Sequence, residues 1–103
     1  MSWFNMIKKN AAKRGIDFQI DVKYVYSVYL RQNKECSLTG VPLVFNYETK
    51  KCNVSIDRID SNKPYVKRNI QLVSKDANFA KWMFSQKYFI QLCKMVADRH
   101  KDK

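Results

Sequence analysis

The stretch Ser55–Lys81, SIDRIDSNKPYVKRNIQLVSKDANFAK, carries the reading of the chain. It opens as a strand over Asn53–Ile59, where Val54 and Ile56 point one way and Ser55 and Asp57 the other. A polar loop follows, Asp60-Ser61-Asn62-Lys63-Pro64-Tyr65, made of turn-forming residues. Asn69–Val73 is a short apolar run, and Ser74 stands where the N-cap of a helix carrying Ala77, Asn78, Lys81 and Trp82 belongs. The pattern therefore sets a carboxylate, Asp57, near the end of a strand and an amide, Asn78, one turn into a later helix. A strand and a helix packed together can bring such a pair close. Two oxygen donors with open coordination positions suit a hard divalent cation, which keeps several waters and accepts phosphate oxygens. Spacing alone does not single this pair out, since an Asp and an Asn at this separation are common.

Upstream, Cys36-Ser37-Leu38-Thr39-Gly40 reads as a turn, and Val41–Tyr47 as a strand. The polar stretch Glu48-Thr49-Lys50-Lys51 would join that strand to Asn53–Ile59 in a β-hairpin. Ser2–Arg14 has the pattern of a short basic helix with Trp3, Ile7 and Ala11 along one side, stopped by Gly15. Phe18 and Ile20 flank Gln19 in a short extended piece. Asp21 is positioned to cap a second helix running to about Gln32, with Val22, Val25, Tyr26 and Tyr29 on its core face. Downstream, Ser85 caps a last helix with Phe89, Leu92, Cys93 and Val96 as its apolar stripe and a basic end. The expected fold class is α+β, a small hairpin and loop packed among about four helices. It forms one domain over residues 1–103, with a helical part at 1–34, a central unit at 36–83 and a C-terminal helix at 85–101.

Composition narrows the function. A chain of 103 residues has room for one modest core, and 46% apolar residues argue against disorder. Twenty Lys and Arg against nine Asp and Glu give a formal charge of +11, which attracts polyanions, nucleic acid first among them. No apolar run has the length of a membrane span, and the N-terminus lacks the apolar core of a signal peptide, so an intracellular protein without membrane association is expected. Three widely spaced cysteines do not form a secreted disulfide framework and point to a reducing compartment.

Several motifs stand in order: Lys13-Arg14-Gly15-Ile16-Asp17-Phe18, Cys36-Ser37-Leu38-Thr39-Gly40-Val41-Pro42-Leu43, Ser55-Ile56-Asp57-Arg58-Ile59-Asp60, Tyr65, Asn69, and Asn78 with Lys81. Together they resemble the HNH endonucleases (ββα-metal, His-Me finger), in particular the small viral and phage variety, over about Lys13 to Lys81. The resemblance implies an HNH-like ββα fold and hydrolysis of DNA phosphodiester bonds with Mg²⁺ or Mn²⁺, in the cytoplasm of a bacterial host or infected cell. It makes Asp57 and Asn78 the metal ligands. Asn69 becomes the residue that braces the loop and positions the catalytic group, and Lys81 a phosphate contact. Arg58 falls where the family carries its general-base His. Arginine keeps its proton, so its expected role is to clamp the scissile phosphate or stabilise its developing charge. The proton of the attacking water would then go to Asp60, to bulk solvent or to a group that the sequence does not identify.

Many relatives also carry a His where this chain has Ser74, and the one histidine is His100 near the C-terminus. Many relatives further hold a structural zinc with two Cys-x-x-Cys pairs. The matching places here are Cys36 with Thr39 and Ser74 with Ala77, and one thiolate cannot build a closed tetrahedral site, so no structural zinc is expected. Cys36 and Cys93 are then expected as buried small hydrophobes. Arg58, Lys63, Lys67, Arg68, Lys75 and Lys81 are the expected DNA contacts, with Lys8, Lys9, Lys13 and Arg14 as a second basic group. Tyr65 has two readings, stacking on a sugar or base and packing under the loop. A homodimer is compatible with cutting two strands. The alternative readings are a non-catalytic nucleic-acid-binding module on the same scaffold and an unrelated basic structural protein.

Overall fold

Each helix begins at a residue whose side-chain oxygen takes one of the N–H groups that a helix start leaves unpaired. In the computed structural model, which describes residues 2–46 and 51–101, Ser2 accepts from the Asn5 N–H and opens α1 (Trp3–Lys13). Asp21 accepts from Tyr24 and opens α2 (Val22–Arg31). Ser74 accepts from Ala77 and opens α3 (Lys75–Lys81), and Ser85 accepts from Tyr88 and opens α4 (Gln86–His100). The caps at Asp21, Ser74 and Ser85 are those expected from the sequence, and Ser2 adds a fourth. Gly15, at φ +69, lets the chain turn out of α1 so that the Ile16 N–H returns to the Ala11 carbonyl (3.0 Å).

Four strands form two antiparallel pairs: β1 (Phe45–Asn46) with β2 (Lys51–Cys52), and β3 (Val54–Arg58) with β4 (Ile70–Ser74). The β3–β4 register sets Val54 opposite Ser74, Ile56 opposite Leu72 and Asp57 opposite Gln71. The apolar run Asn69–Val73 is thus the partner strand of β3, and the expected pairing of Val41–Tyr47 with Asn53–Ile59 is corrected. Residues 41–43 bond instead to 34–36, the Cys36 N–H to the Val41 carbonyl (2.7 Å) and the Leu43 N–H to the Lys34 carbonyl (2.8 Å), and two further features keep them off β3. Pro42 has no N–H to give. The Asn53 side chain accepts from the Val44 N–H (2.8 Å) and donates to the Pro42 carbonyl (2.9 Å), taking the place of strand bonds. Glu48, Thr49 and Lys50 of the expected connection lie outside the described residues.

β4 is buried over its whole length, with Leu72 and Val73 fully covered. The edge of β4 away from β3 is closed by a side chain. Gln32 donates to the Leu72 carbonyl (2.9 Å) and accepts from the Leu72 N–H (3.0 Å), and the Ser37 N–H adds a bond to the same carbonyl (3.0 Å). The core gathers Ala11, Val25, Val28, Leu43, Val54, Ile56, Ile70, Leu72 and Val73, with Trp3, Tyr29 and Phe45 packed at its side. Trp3 donates to the Val54 carbonyl (3.0 Å), and Tyr29 to that of Leu43 (2.9 Å).

Two expectations about faces are corrected. On α2 the core face is Val25 and Val28, while Val22 and Tyr26 are both 59% exposed. On α4 no residue is buried, and Cys93 is exposed. The result is a mixed α+β chain in which a two-stranded antiparallel hairpin is followed directly by a helix. Among the described residues no helix is long and apolar enough to cross a membrane.

Candidate active site

β3 alternates, so Asp57 projects from the sheet on the side opposite Val54 and Ile56, toward the helix that leaves β4. Its carboxylate is buried and paired. The Lys81 ammonium lies 3.0 Å from Oδ2 and 3.2 Å from Oδ1, and donates also to the Arg58 carbonyl (3.0 Å). Gln71, directly opposite on β4, donates to Oδ2 (2.9 Å). The same Gln71 amide accepts from the Ser37 hydroxyl (2.8 Å) and donates to Gln86 at the start of α4 (2.7 Å). The Asp57 carboxylate is therefore held from two other elements, the partner strand and the end of α3.

Lys81 departs from the expected role of a DNA contact. It is the last residue of α3, fully buried, and its three protons go to Asp57 and the Arg58 carbonyl. A buried ammonium already coordinated in this way is not offered to a phosphate.

Asn69 does what a loop brace requires. Its amide donates to the Asp60 carbonyl (3.1 Å) and the Pro64 carbonyl (2.9 Å) and accepts from the Asp60 N–H (3.0 Å). Asp60 in turn accepts from the Asn62 N–H (2.9 Å), closing a turn inside the loop. The loop is then sewn to the segment after α1, because the Tyr65 N–H reaches the Asp17 carbonyl (3.0 Å) and the Gln19 N–H reaches the Tyr65 carbonyl (2.8 Å). Tyr65 is buried against Phe18, ring centroids 5.2 Å apart, which decides between its two readings in favour of packing under the loop. Its other use is to seat Arg58, whose guanidinium lies 5.4 Å from the Tyr65 ring and donates to the Lys63 carbonyl (3.1 Å).

These elements enclose a cavity of about 350 Å³ whose wall includes Asp57, Arg58, Ser61 and Asn78. The two expected ligands thus meet on one cleft. Asn78 stands on α3, one turn before the Trp82 N–H that bonds its carbonyl (3.1 Å). Arg14, assigned by sequence to a separate basic group, lines the same cleft, because the loop's attachment to Asp17 and Gln19 draws the end of α1 toward it. Phe79, Trp82 and Met83 complete the wall. Neither Arg14 nor these three carried a signal in spacing; only the register of Phe18 against Tyr65 brings α1 here.

The other expected contacts fall in two places. Lys63, Lys67 and Arg68 are exposed on the loop after β3. Lys67 and Arg31 sit 5.6 and 5.7 Å from the Tyr24 ring. The Arg68 N–H donates to the Tyr24 hydroxyl (2.9 Å). That bond, with Arg31 and Lys67 beside it, holds the phenol below its ordinary value against the opposing effect of desolvation. Lys75 faces away from the cleft, lining a separate groove between α4 and the turn at 38–41.

Cys36, Thr39, Ser74 and Ala77 come together. The Ser74 N–H donates to the Cys36 sulfur (3.2 Å), and Ser74 Oγ caps Ala77. Burial pushes the Cys36 thiol up. Hydrogen bonds from the Thr39 side chain and from the N–H groups of Ser74, Thr39 and Leu38 outweigh that and hold it below its ordinary value.

The donor set on the cleft can be tested against a divalent cation. A carboxylate offers about four lone-pair sites. Lys81 and Gln71 occupy both sites on Oδ2 and Lys81 one on Oδ1, which leaves one on Oδ1. That site and the amide oxygen of Asn78, which lines the same cleft, are hard oxygen donors of the kind that Mg²⁺ or Mn²⁺ takes together with water and phosphate oxygens. The neighbouring ammonium weakens the hold of such a site on any cation. Among the described residues no three His, Cys, Asp or Glu side chains gather as a metal site. Compared with family models, curated proteins and solved structures, the chain matches none.

Proposed function

We propose that this chain is a metal-dependent DNA endonuclease of the HNH type. The observation that carries the reading is the meeting of Asp57 and Asn78 on one cleft beside Arg58, at the point where a hairpin passes into a helix. The resemblance of the Ser55–Lys81 stretch named exactly those residues for that task. Asp57 and Asn78 would hold the ion, which when bound supplies Lewis-acid polarisation of the scissile phosphate and stabilises the leaving oxygen.

The rest of the chemistry falls to the chain's own groups. Arg58, stacked on Tyr65 and tied to Lys63, presents a fixed guanidinium to the phosphate and stabilises its developing charge. Arg14 adds a second fork on the same wall. Asn69 keeps the loop that supports Arg58 in one conformation. Neither arginine removes a proton, and Asp60 is not among the residues of the cleft wall, so the attacking water would give its proton to solvent or to another group that reaches the cleft. The exposed Lys63, Lys67 and Arg68 add affinity that falls with salt and reads no sequence.

A second reading is a nucleic-acid-binding module without catalysis, and one observation favours it. The Lys81 ammonium already neutralises Asp57, in the place a metal's charge would take. Nicking of supercoiled plasmid separates the two. The nuclease reading expects wild-type protein to nick with Mg²⁺ or Mn²⁺ and to stop with EDTA. Asp57→Asn and Asn78→Ala should each lose at least about a hundredfold, the upper end of what even supporting residues of metal sites cost. Wild type that binds DNA and leaves the plasmid intact in both metals decides for the binding module.

A further inference from the structure

We infer that Phe79, Trp82 and Met83 form a stacking surface for an unpaired nucleobase, so that the preferred substrate is single-stranded or locally unstacked DNA rather than uniform duplex. The inference rests on the reading of the cleft as a nucleic-acid site, and deepens it.

The surface begins with an inversion. α3 and the two residues after it bury a lysine and leave Phe79 87%, Trp82 69% and Met83 67% exposed. Single exposed apolar side chains are ordinary; three large ones contiguous on a cleft wall are a surface awaiting contact. Asn78 and Trp82, and likewise Phe79 and Met83, are four residues apart. Helical geometry does not extend past Lys81, but the wall of one cavity carries Asn78, Phe79, Trp82 and Met83, so the aromatic side chains stand beside the proposed metal ligand.

The backbone adds an independent sign. Trp82 has φ +48 and ψ −125, a conformation that only glycine adopts cheaply, at a helix end where glycine is the usual residue. Strain kept at a residue whose side chain is mostly in water is not explained by packing in the free protein. The ring is nevertheless held. Trp82 packs edge-on against Phe84 (5.9 Å) and Phe84 against Tyr88 (5.0 Å), which fixes the indole without covering it.

Charge identifies the occupant. The same cavity wall carries Arg14 and Arg58, and the chain as a whole carries +11. An apolar face ringed by guanidinium groups is complementary to a nucleotide, which has a π-face and a phosphate joined by a short sugar. It is a poor match for an apolar protein surface. Stacking is tolerant of base identity, so the surface selects for accessible bases and not for sequence. In intact duplex the π-faces are covered by their neighbours, and engagement there needs unstacking of a base step.

Fluorescence anisotropy in EDTA, with no cleavage, tests this on a labelled oligothymidylate and a duplex of equal length. Wild type is expected to bind the single strand more tightly. Phe79→Ala and Trp82→Gly are each expected to weaken single-strand binding about tenfold, the size of one lost base–aromatic stack, with a smaller loss on duplex. In a Trp3→Phe background the remaining Trp82 emission should be quenched as oligothymidylate is added. The inference is overturned if the two variants leave single-strand affinity unchanged or reduce both affinities equally. It is also overturned if they turn a dimer into a monomer in sedimentation with binding intact, which would make this a self-association surface. Failure of the nuclease reading is a separate result: intact plasmid in Mg²⁺ leaves every one of these EDTA measurements standing.

Discussion

β4 and α3 adjoin at Ser74 and obey opposite rules. β4 buries all five of its residues, and its bulk is Ile70, Leu72 and Val73, as a strand with cover on both faces should. α3 buries Ala77 and a lysine and holds Phe79 in water. Burying an ammonium and its carboxylate removes two ions from water, and breaking such a pair is worse than never having it. Exposing a Phe and a Trp forgoes the burial that would stabilise a core. Both departures fall on α3 and the two residues after it, beside the cleft that Asp57 lines, while β4 a few residues away buries one large polar side chain, Gln71. Local conflict with the general rules of burial collects at sites shaped by something other than stability.

The comparison breaks most visibly at Lys81. Lys81→Met leaves the Asp57 carboxylate buried with one of its two partners gone and should cost about 3–5 kcal/mol in urea denaturation. The double variant Asp57→Leu with Lys81→Met removes both charges and should recover most of that loss, because paired apolar replacement of a buried ion pair is near neutral or favourable. A single variant that loses less than about 1 kcal/mol would instead mean an exposed pair of ordinary strength.

Gln71 is the point where β4 joins the conflict. It is the one polar side chain facing Asp57 from that strand, and it links Asp57 to Ser37 and to Gln86 of α4. Gln71→Leu keeps the volume and strips the bonds, at about 1–3 kcal/mol for the groups left unpaired. If Asp57 is a metal ligand, the same change should weaken Mn²⁺ binding by roughly 10- to 100-fold, the usual effect of removing a supporting partner. Mn²⁺ binding followed by the paramagnetic relaxation of water protons reads this directly. Unchanged affinity with lowered stability would reduce Gln71 to a structural role.

How much of this was legible follows the same division. Three helix starts were readable because Asp21, Ser74 and Ser85 are short-range signals, each acting within three residues, and the first was placed within one residue by its apolar spacing. The strand Val54–Arg58 was readable from its alternation. Its partner was not, because β4 is buried on both faces and does not alternate, and because Pro42 and the Asn53 side-chain bonds confine the expected hairpin to the short pairing of β1 with β2. At the site, motif order picked out Asp57, Asn69 and Asn78. It misassigned Lys81, since a lysine one turn past a helical ligand reads as a solvated cation and nothing local reports that α3 runs over a buried carboxylate. Arg14 was beyond reach for the same reason: its place depends on Phe18 meeting Tyr65, a long-range register.

The smallest effect is the most discriminating, because its sign runs against habit. Replacing a tryptophan normally destabilises, through lost burial and lost packing. At Trp82 the side chain is 69% exposed, so little burial is at stake. The φ of +48 costs a non-glycine residue on the order of 1–3 kcal/mol, and glycine adopts it freely. Against that, glycine adds roughly 0.5–1 kcal/mol of backbone entropy to the unfolded chain, and the edge contact with Phe84 is lost. Trp82→Gly should therefore stabilise the free protein by about 1 kcal/mol in thermal or urea unfolding. The same substitution is expected to weaken binding of single-stranded DNA. Opposite signs from one residue are the mark of a position held for contact with a ligand at the expense of the fold. A Trp82→Gly protein that is less stable than wild type would show that the indole is packed as ordinary core, and α3 would then differ from β4 at Lys81 alone.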